Sequence, residues 1–490
     1  MKREKTGIAQ WVCAWRTPAP RSSTTAMHKI GRAACTLLSR AAPFHKGLSL
    51  CRRSASNVPP SKGGNFQRLS ELNTTELLRF METDGHRADG RRIVEWWSSM
   101  VKADRSERTQ LLRRGKLDKP CKVLERGLPL LQGPIGLART AYALGKLRVG
   151  DRPPWTAVWS ALADRSAATI RDFNGQSISN TTWAFATAGH ASPALFDAVA
   201  AEATKRGLRE FNPQALANTA WAFATAGHAS PALLDAVAAE ATKRGLREFT
   251  PQALANTAWA FATADHPAQK LFDSAFVVRS ESIDWTLEAL IQLQQWQLWH
   301  AEHGLAPPLS ASLAARCRSA LASTEVRPSR LQRDVGRALE ALGCPVQEEV
   351  VTESGYSIDL VVEYDGTRVG VEVDGPSHFI CRSPTASTLL KRRQLRSVGW
   401  SLLSVPYFEW SPLRSKHDKC EYLQASLKAT LDAPLRVGES SGLAYIASQS
   451  ADELRGLTVP VLKQRLRDAG LPVSGRKEEL IVRLLDGGGV

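Results

Sequence analysis

The chain has 490 residues, 43% of them hydrophobic, with 14 Trp and a formal net charge of +16. That size predicts about three domains, and the apolar content excludes global disorder. No run of about 18 apolar residues occurs, so no membrane span is expected. The eight cysteines form no CxxC pair, which argues against a zinc ribbon or disulfide scaffold and for a reducing compartment.

The basicity is unevenly placed. Residues 1–70 hold 13 Lys/Arg against one acid, Glu4, so +12 lies there and +4 is left for the rest. From Lys5 to Ser70 there is no acid, and Arg, Ser, Ala and Thr are abundant. This is the composition of an organelle transit peptide. The stretch from Met27 reads as a presequence by itself, with Arg32 and Arg40 interleaved with Ile30, Leu37 and Leu38. Residues 1–62 are expected to be a disordered targeting segment for a mitochondrion or chloroplast, starting at Met1 or Met27. A plain basic tail is the alternative.

Phe173, Phe211 and Phe249 open three units spaced by 38 residues. The units 173–210 and 211–248 are nearly identical, and the third degenerates after FTPQALANTAWAFATADH. LARTAYAL (137–144) is a weaker copy, and WTLEALIQLQQW (285–296) a worn one. The expected repeat region spans 70–304 and is clearest at 173–266. Each unit reads as two helices. Pro213 suits a first helical turn, Leu216, Ala220, Trp221 and Phe223 supply an apolar side, and Gly227 ends the helix. Ser230-Pro231 opens the second helix, whose stripe is Leu234, Val237, Ala238 and Ala241. Asp235 early and Lys243-Arg244 late match the helix dipole, and Gly245 fits the stop. One hairpin cannot bury both faces, so the units must stack into a solenoid.

A 38-residue helical pair resembles the octotricopeptide repeat, an organelle RNA-binding solenoid, over residues 135–300. The resemblance implies RNA lying along the first helices. There Gln176, Gln214 and Gln252 recur, each followed four residues on by Asn180, Asn218 and Asn256, hence on one face. Amides can hydrogen-bond base edges, which makes Gln214, Asn180, Asn218 and Asn256 candidate RNA readers. The competing reading is that the Asn side chains bridge neighbouring repeats, because buried amides need partners. His190, His228 and His266 recur with the same period and read as turn residues rather than metal ligands. His300 and His303 read as surface.

After a Pro-rich break the pattern changes, and 329–430 is expected to form an α/β domain. LQRDVGRALEALG (331–343) is an amphipathic helix. YSIDLVVEY and TRVGVEVD alternate, and Asp365-Gly366 between them signals a two-residue hairpin. Such a loop pairs residues whose numbers sum to 731. One face then holds Ile358, Leu360, Val362, Val369, Val371 and Val373, the core. The other holds Asp359, Glu363, Glu372 and Asp374, with Arg368. Asp359 faces Glu372, an unfavourable like-charge pair, so the cluster needs a cation, a raised pKa or solvent. A divalent metal and a wet acidic face are the two readings.

A loop, GPSHFICRSPTAS, then leads to a basic helix, LLKRRQLRSVG, a strand, WSLLSV, and the aromatic PYFEW. IDLVVEYDG, VGVEVDGPSHF and LLKRRQLRSVGWSLLSVPYFEW together resemble the RAP domain, over residues 331–428. The resemblance implies a restriction-endonuclease-like fold. It also implies action on organelle RNA, as in FAST-kinase-like mitochondrial proteins and plastid octotricopeptide proteins. In active nucleases of that fold an acid precedes a Glu-x-Lys. Asp359 and Glu372 fit, but Asp374 stands at the Lys position, so a binding-only domain without cofactor is favoured. The rival is a metal-dependent endoribonuclease of the PD-(D/E)XK type using Asp359, Glu372 and Asp374 with Mg²⁺ or Mn²⁺, and Lys391 in the lysine's role. For binding, Lys391, Arg392, Arg393 and Arg396 are the expected phosphate contacts, against a merely solvated helix face.

After an expected linker at 431–452, LTVPVLKQRLRDAGLPVSGRKEELIVRLLDG resembles a SAP motif, placed at 453–487. The resemblance implies DNA binding, in some members RNA, with Lys463, Arg467, Arg476, Lys477 and Arg483 on phosphates. A packing cap is the alternative. The expected whole is multidomain: an all-α helical-repeat solenoid, an α/β restriction-endonuclease-like RAP domain and a small helical SAP motif. Its expected role is RNA stability, processing, splicing or translation in an organelle matrix or stroma. Single-stranded RNA is the expected partner, with DNA through the SAP motif and other RNA-processing proteins as further ones. A protein-binding repeat scaffold is the remaining rival.

Overall fold

A computed structural model describes residues 68–131, 133–305, 309–324, 328–380, 382–432 and 475–486. The targeting segment, the linker beyond Asp432, Lys463 and Arg467 lie outside these residues.

Four helices precede the repeats: α1 (Thr74–Thr83), α2 (Gly90–Met100), α3 (Arg105–Arg113) and α4 (Asp118–Gly127). Asn73, Asp89 and Asp104 cap the first three, each accepting from a backbone N–H three residues on. Trp96 and Trp97 are fully buried and pack edge to face at 4.7 Å.

The repeats follow in chain order as α5 (Gly133–Lys146), α6 (Thr156–Ala168), α7 (Gly175–Ala188), α8 (Pro193–Arg206), α9 (Pro213–Ala226), α10 (Pro231–Arg244), α11 (Pro251–Thr263), α12 (Ser274–Glu281) and α13 (Leu287–Glu302). The first helices α5, α7, α9, α11 and α13 lie side by side in one layer, and α6, α8 and α10 form a second. α14 (Ala311–Ala322) closes the stack against α13. The punctuation follows the sequence. Asn174, Asn212 and Thr250 cap α7, α9 and α11. Gly189 and Gly227 take φ of +69° and +65° at the C-terminal ends, where a side chain would be strained.

The recurring histidines do more than turn the chain. His190 pairs with Asp151 at 2.8 Å, His228 with Asp197 at 3.0 Å and His266 with Asp235 at 2.8 Å, each reaching back to the preceding unit. His300 and His303, expected at the surface, are half-buried against Trp296 and Trp299. His303 also meets Asp265 at 3.0 Å, which continues the series.

The α/β domain opens with α15 (Arg330–Ala341) and the strands β1 (Val346–Val351), β2 (Ser357–Tyr364) and β3 (Thr367–Asp374). A small hairpin follows, β4 (Phe379–Ile380) and β5 (Ser383–Pro384), then α16 (Ala386–Ser397), β6 (Ser401–Pro406), α17 (Tyr407–Trp410) and α18 (Lys416–Asp432). The sheet order is β1-β2-β3-β6, antiparallel except for the parallel β3–β6 pair. The β2–β3 register is the expected one, with Leu360 opposite Val371 and Tyr364 opposite Thr367. Asp365 and Gly366 both take positive φ, 50° and 70°, as this hairpin turn requires.

Leu360, Val362, Val369, Val371 and Val373 form one core with α15 and α18. Ile358 departs from this set. It packs with Leu402 over Gly370, where a Cβ would come within 2.9 Å of Leu402, and joins the opposite cluster. That cluster contains Tyr356, Val361, Leu390 and Leu395 and is continuous with the core of the repeats. Helix α16 therefore lies between the sheet and the repeat helices α9, α11 and α13. A last helix, α19 (Lys477–Asp486), falls in the SAP segment and buries Leu480 and Ile481.

Candidate nucleic-acid interface

The three acids of the α/β domain come together as the hairpin register demands, but the cation beside them belongs to the protein. Glu372 and Asp374 are only 4% and 1% exposed, because α16 covers this face of the sheet. Lys391 Nζ donates to Glu372 Oε2 at 2.6 Å. Arg392 Nη2 donates to Asp374 Oδ2 at 2.6 Å, and Ser404 Oγ donates to the same oxygen at 2.7 Å. His378 Nδ1 lies 3.2 Å from the other Asp374 oxygen. Asp359 lies one residue beyond the Leu360–Val371 pair and accepts from the Val373 N–H at 2.7 Å.

These environments split the acids. Burial raises Glu372 to about 7, against the pull of the Lys391 ammonium, and Asp359 is raised for the same reason. Burial acts on Asp374 too, but the bond from His378, the Arg392 guanidinium and Ser404 outweigh it and hold Asp374 at about 2. Lys391 is raised despite its burial, by Glu372 and Asp359.

The burial of Glu372 and Asp374 overturns the wet acidic face read from the sequence, and the chain's own cations take up oxygens that the divalent-metal reading would need. Mg²⁺ asks for a near-octahedral set of oxygens. Here Lys391 holds one Glu372 oxygen, while Arg392, Ser404 and His378 take up Asp374. Among the described residues, no three His, Cys, Asp or Glu are arranged to hold a metal ion. Lys391 does reach the acids, as the substitute-lysine reading requires.

The basic helix differs from a row of phosphate contacts, because both of its sides are covered. Arg392 points inward and is 5% exposed. Arg393 turns to the repeats: Nε donates to Glu302 Oε1 at 2.7 Å, and Nη2 to the Ala262 carbonyl at 2.6 Å, at the C-terminal end of α11. Beside it Gln394 donates to the Gln295 carbonyl at 2.6 Å and accepts from the Tyr356 hydroxyl at 2.8 Å. Lys391 and Arg396 are half-buried. Glu302 is the partner the sequence does not reveal; nothing local marks a residue 91 positions away. Ser404 was more accessible, since parallel pairing of β3 and β6 sets it beside Glu372.

On the repeats the amides form a ladder. Gln176, Gln214 and Gln252 donate to Asn180, Asn218 and Asn256 at 2.9, 2.8 and 2.9 Å. Between units, Asn212 donates to Gln176 at 3.4 Å, and Gln292 donates to Asn256 at 3.0 Å. Asn218 and Asn256 are buried, while Gln176, Asn180 and Gln214 are half-buried. In the SAP segment Arg476 is exposed, and its N–H donates to Glu479 at 3.1 Å. Lys477 is half-buried, and the Arg483 side chain lies outside the described residues.

Comparison with known proteins places names on two segments. The RAP domain family matches residues 371–425, and the SAP domain family matches 453–486. A rice (Oryza sativa subsp. japonica) protein named RAP domain-containing protein, chloroplastic, is 36% identical over 101 residues, 20% of this chain and 15% of that protein. The mitochondrial FAST kinase domain-containing protein 3 of Rattus norvegicus is 35% identical over 78 residues, 15% of this chain and 12% of its own length. Its Bos taurus counterpart is 31% identical over a stretch of the same size. The chain therefore spans less than a sixth of the length of each of these relatives. It carries a RAP domain joined to a stack of helical repeats, with a SAP domain after it.

Proposed function

We propose that this chain is an organelle RNA-binding protein acting in RNA stability, processing, splicing or translation, and that it binds without cutting. The RAP match carries the reading, because the similar proteins are named as chloroplastic and mitochondrial. The acid-free, Arg-rich segment up to Ser70 supports import into a matrix or stroma. A repeat stack offering a row of amides supports single-stranded RNA as partner, and the SAP domain adds a second nucleic-acid contact, to RNA or DNA.

Burial supports binding over cleavage. A scissile phosphate must touch the ion that activates its attacking water. Glu372 and Asp374 lie under α16 with Lys391 and Arg392 upon them. A metal-dependent endoribonuclease is the second reading, favoured by one observation: Lys391 reaches Glu372. Crosslinking a tagged chain in its organelle and sequencing the recovered nucleic acid tests the proposal. Enrichment of particular organelle transcripts is expected, and recovery of DNA alone contradicts it.

A further inference from the structure

Three aromatic side chains of the RAP domain stand half-buried in one patch. Phe379 lies on β4, and Tyr407 and Phe408 lie on α17. The ring centres are 5.0 Å apart for Phe379 and Phe408, 5.3 Å for Tyr407 and Phe408, and 6.0 Å for Phe379 and Tyr407. Aromatic packing alone does not call for such exposure: Phe173, Phe185, Phe211 and Phe223 in the repeats are fully buried. The exposed Arg382 stands over Phe408, its guanidinium carbon 5.5 Å from the ring centre. It lies between β4 and β5 with φ of +69°, a left-handed backbone that glycine adopts without strain. The acids nearest to it in the chain, Asp374 and Glu409, are engaged by Arg392 and Tyr422.

A purely structural role accounts for part of this. A guanidinium over an aromatic face gains some cation–π energy, but at an exposed site the gain is smaller than the strain of a left-handed arginine. The chemistry of the patch selects its occupant. Half-exposed rings call for a flat apolar group, and the guanidinium repels a cation and calls for an anion. A proline-rich or apolar peptide fits the rings and leaves the guanidinium unanswered. A nucleotide carries both parts: a base that stacks on aromatic or guanidinium planes, and a phosphate. The patch is also held in place. The Thr385 N–H donates to the His378 carbonyl at 2.8 Å across the small hairpin, and the His378 ring lies 3.2 Å from Asp374. The location agrees with the amide row. Ile380, next to Phe379, is 3.5 Å from where a Gly189 Cβ would stand, at the C-terminal end of α7. From Asn180 to that point is about 14 Å along the helix, at about 1.5 Å per residue.

We infer that Phe379, Tyr407, Phe408 and Arg382 form a stacking site for an unpaired base of single-stranded RNA, with the guanidinium meeting the phosphate beside it. The inference rests on the RNA-binding reading above and gives the RAP domain its contact. The test uses the full chain and a labelled single-stranded oligoribonucleotide, with affinity followed against salt and melting temperature measured on the same samples. Phe408→Leu keeps an apolar side chain and removes the ring. It is expected to weaken RNA binding about tenfold, the loss of one stacked base, with the salt slope unchanged. Arg382→Gly removes the guanidinium and the backbone strain together. Affinity should fall and the salt slope should drop by about one, while the melting temperature holds or rises. An arginine kept only for stability would move the melting temperature down and leave affinity alone. Arg382→Gly also serves if Phe408→Leu does not fold. Full RNA affinity in both variants overturns the site while leaving RNA binding intact. Full RNA affinity with lost binding of a proline-rich peptide overturns it in favour of a protein partner. Wild-type protein that binds no RNA at all ends the RNA reading and this site with it.

Discussion

Arg393 Nε lies 2.7 Å from Glu302 Oε1, an ion pair between residues 91 apart that ties the RAP domain's basic helix to the last repeat. Both side chains are largely covered, and the same guanidinium closes the carbonyl end of α11 at Ala262. The repeats and the RAP domain are thus one structural body with a continuous core.

Removing that guanidinium leaves Glu302 covered without its partner. Arg393→Ala should cost about 3–5 kcal/mol of stability, the usual loss when one member of a buried pair is deleted. Chemical denaturation followed by tryptophan fluorescence would show it. Exchanging the charges, Arg393→Glu with Glu302→Arg, should recover only part of the loss, because the bond to the Ala262 carbonyl is not restored. A variant as stable as the wild type would mean that the two parts are held by other contacts.

The amide ladder makes a separate prediction. Asn218 and Asn256 are buried and bonded, whereas Asn180 is half-buried. Replacing either of the first two by Ala strands the Gln that donated to it, costing about 1–3 kcal/mol. Asn180→Ala should cost less. Melting temperature and RNA affinity measured on the same samples separate the roles. Unchanged stability with lost affinity would make these residues base readers rather than bridges.

Much of this was legible because it is local. The 38-residue period, the Pro starts and Gly stops fix the helices, and Asp365-Gly366 fixes a hairpin whose register follows by counting. The gathering of Asp359, Glu372 and Asp374 came from that count. What neutralises them did not, because it depends on how α16 lies across the sheet. A run of Lys and Arg reads as a solvent-facing row until both sides of its helix prove to be covered. Arg392 and Arg393 are such residues, and Glu302 and Ser404 complete them from distant parts of the chain.

The split acids give opposite pH signatures. Glu372 is raised in the fold from 4.5 to about 7, so folding takes up a proton between those values. The stability it contributes is fully present below 4.5 and falls as pH rises through about 7. Asp374 is lowered from 3.8 to about 2, so its contribution is present above 3.8 and is lost as pH falls through about 2. Glu372→Gln should therefore flatten the decline in melting temperature between about pH 5 and pH 7. Asp374→Asn should destabilise at neutral pH by about 3–5 kcal/mol, because Arg392 stays buried without its carboxylate. A Gln variant that loses more stability than wild type on going to pH 8 would contradict the assignment.

Binding without cleavage is tested most directly by incubating the purified full chain with labelled single-stranded RNA and Mg²⁺ or Mn²⁺, resolved on native and denaturing gels. Retarded RNA of unchanged length is expected, with equal retardation by Glu372→Gln, whose side chain is buried under α16. Metal-dependent shortening of the RNA by wild-type protein, abolished in Glu372→Gln, would contradict it and would assign Lys391 to the chemistry.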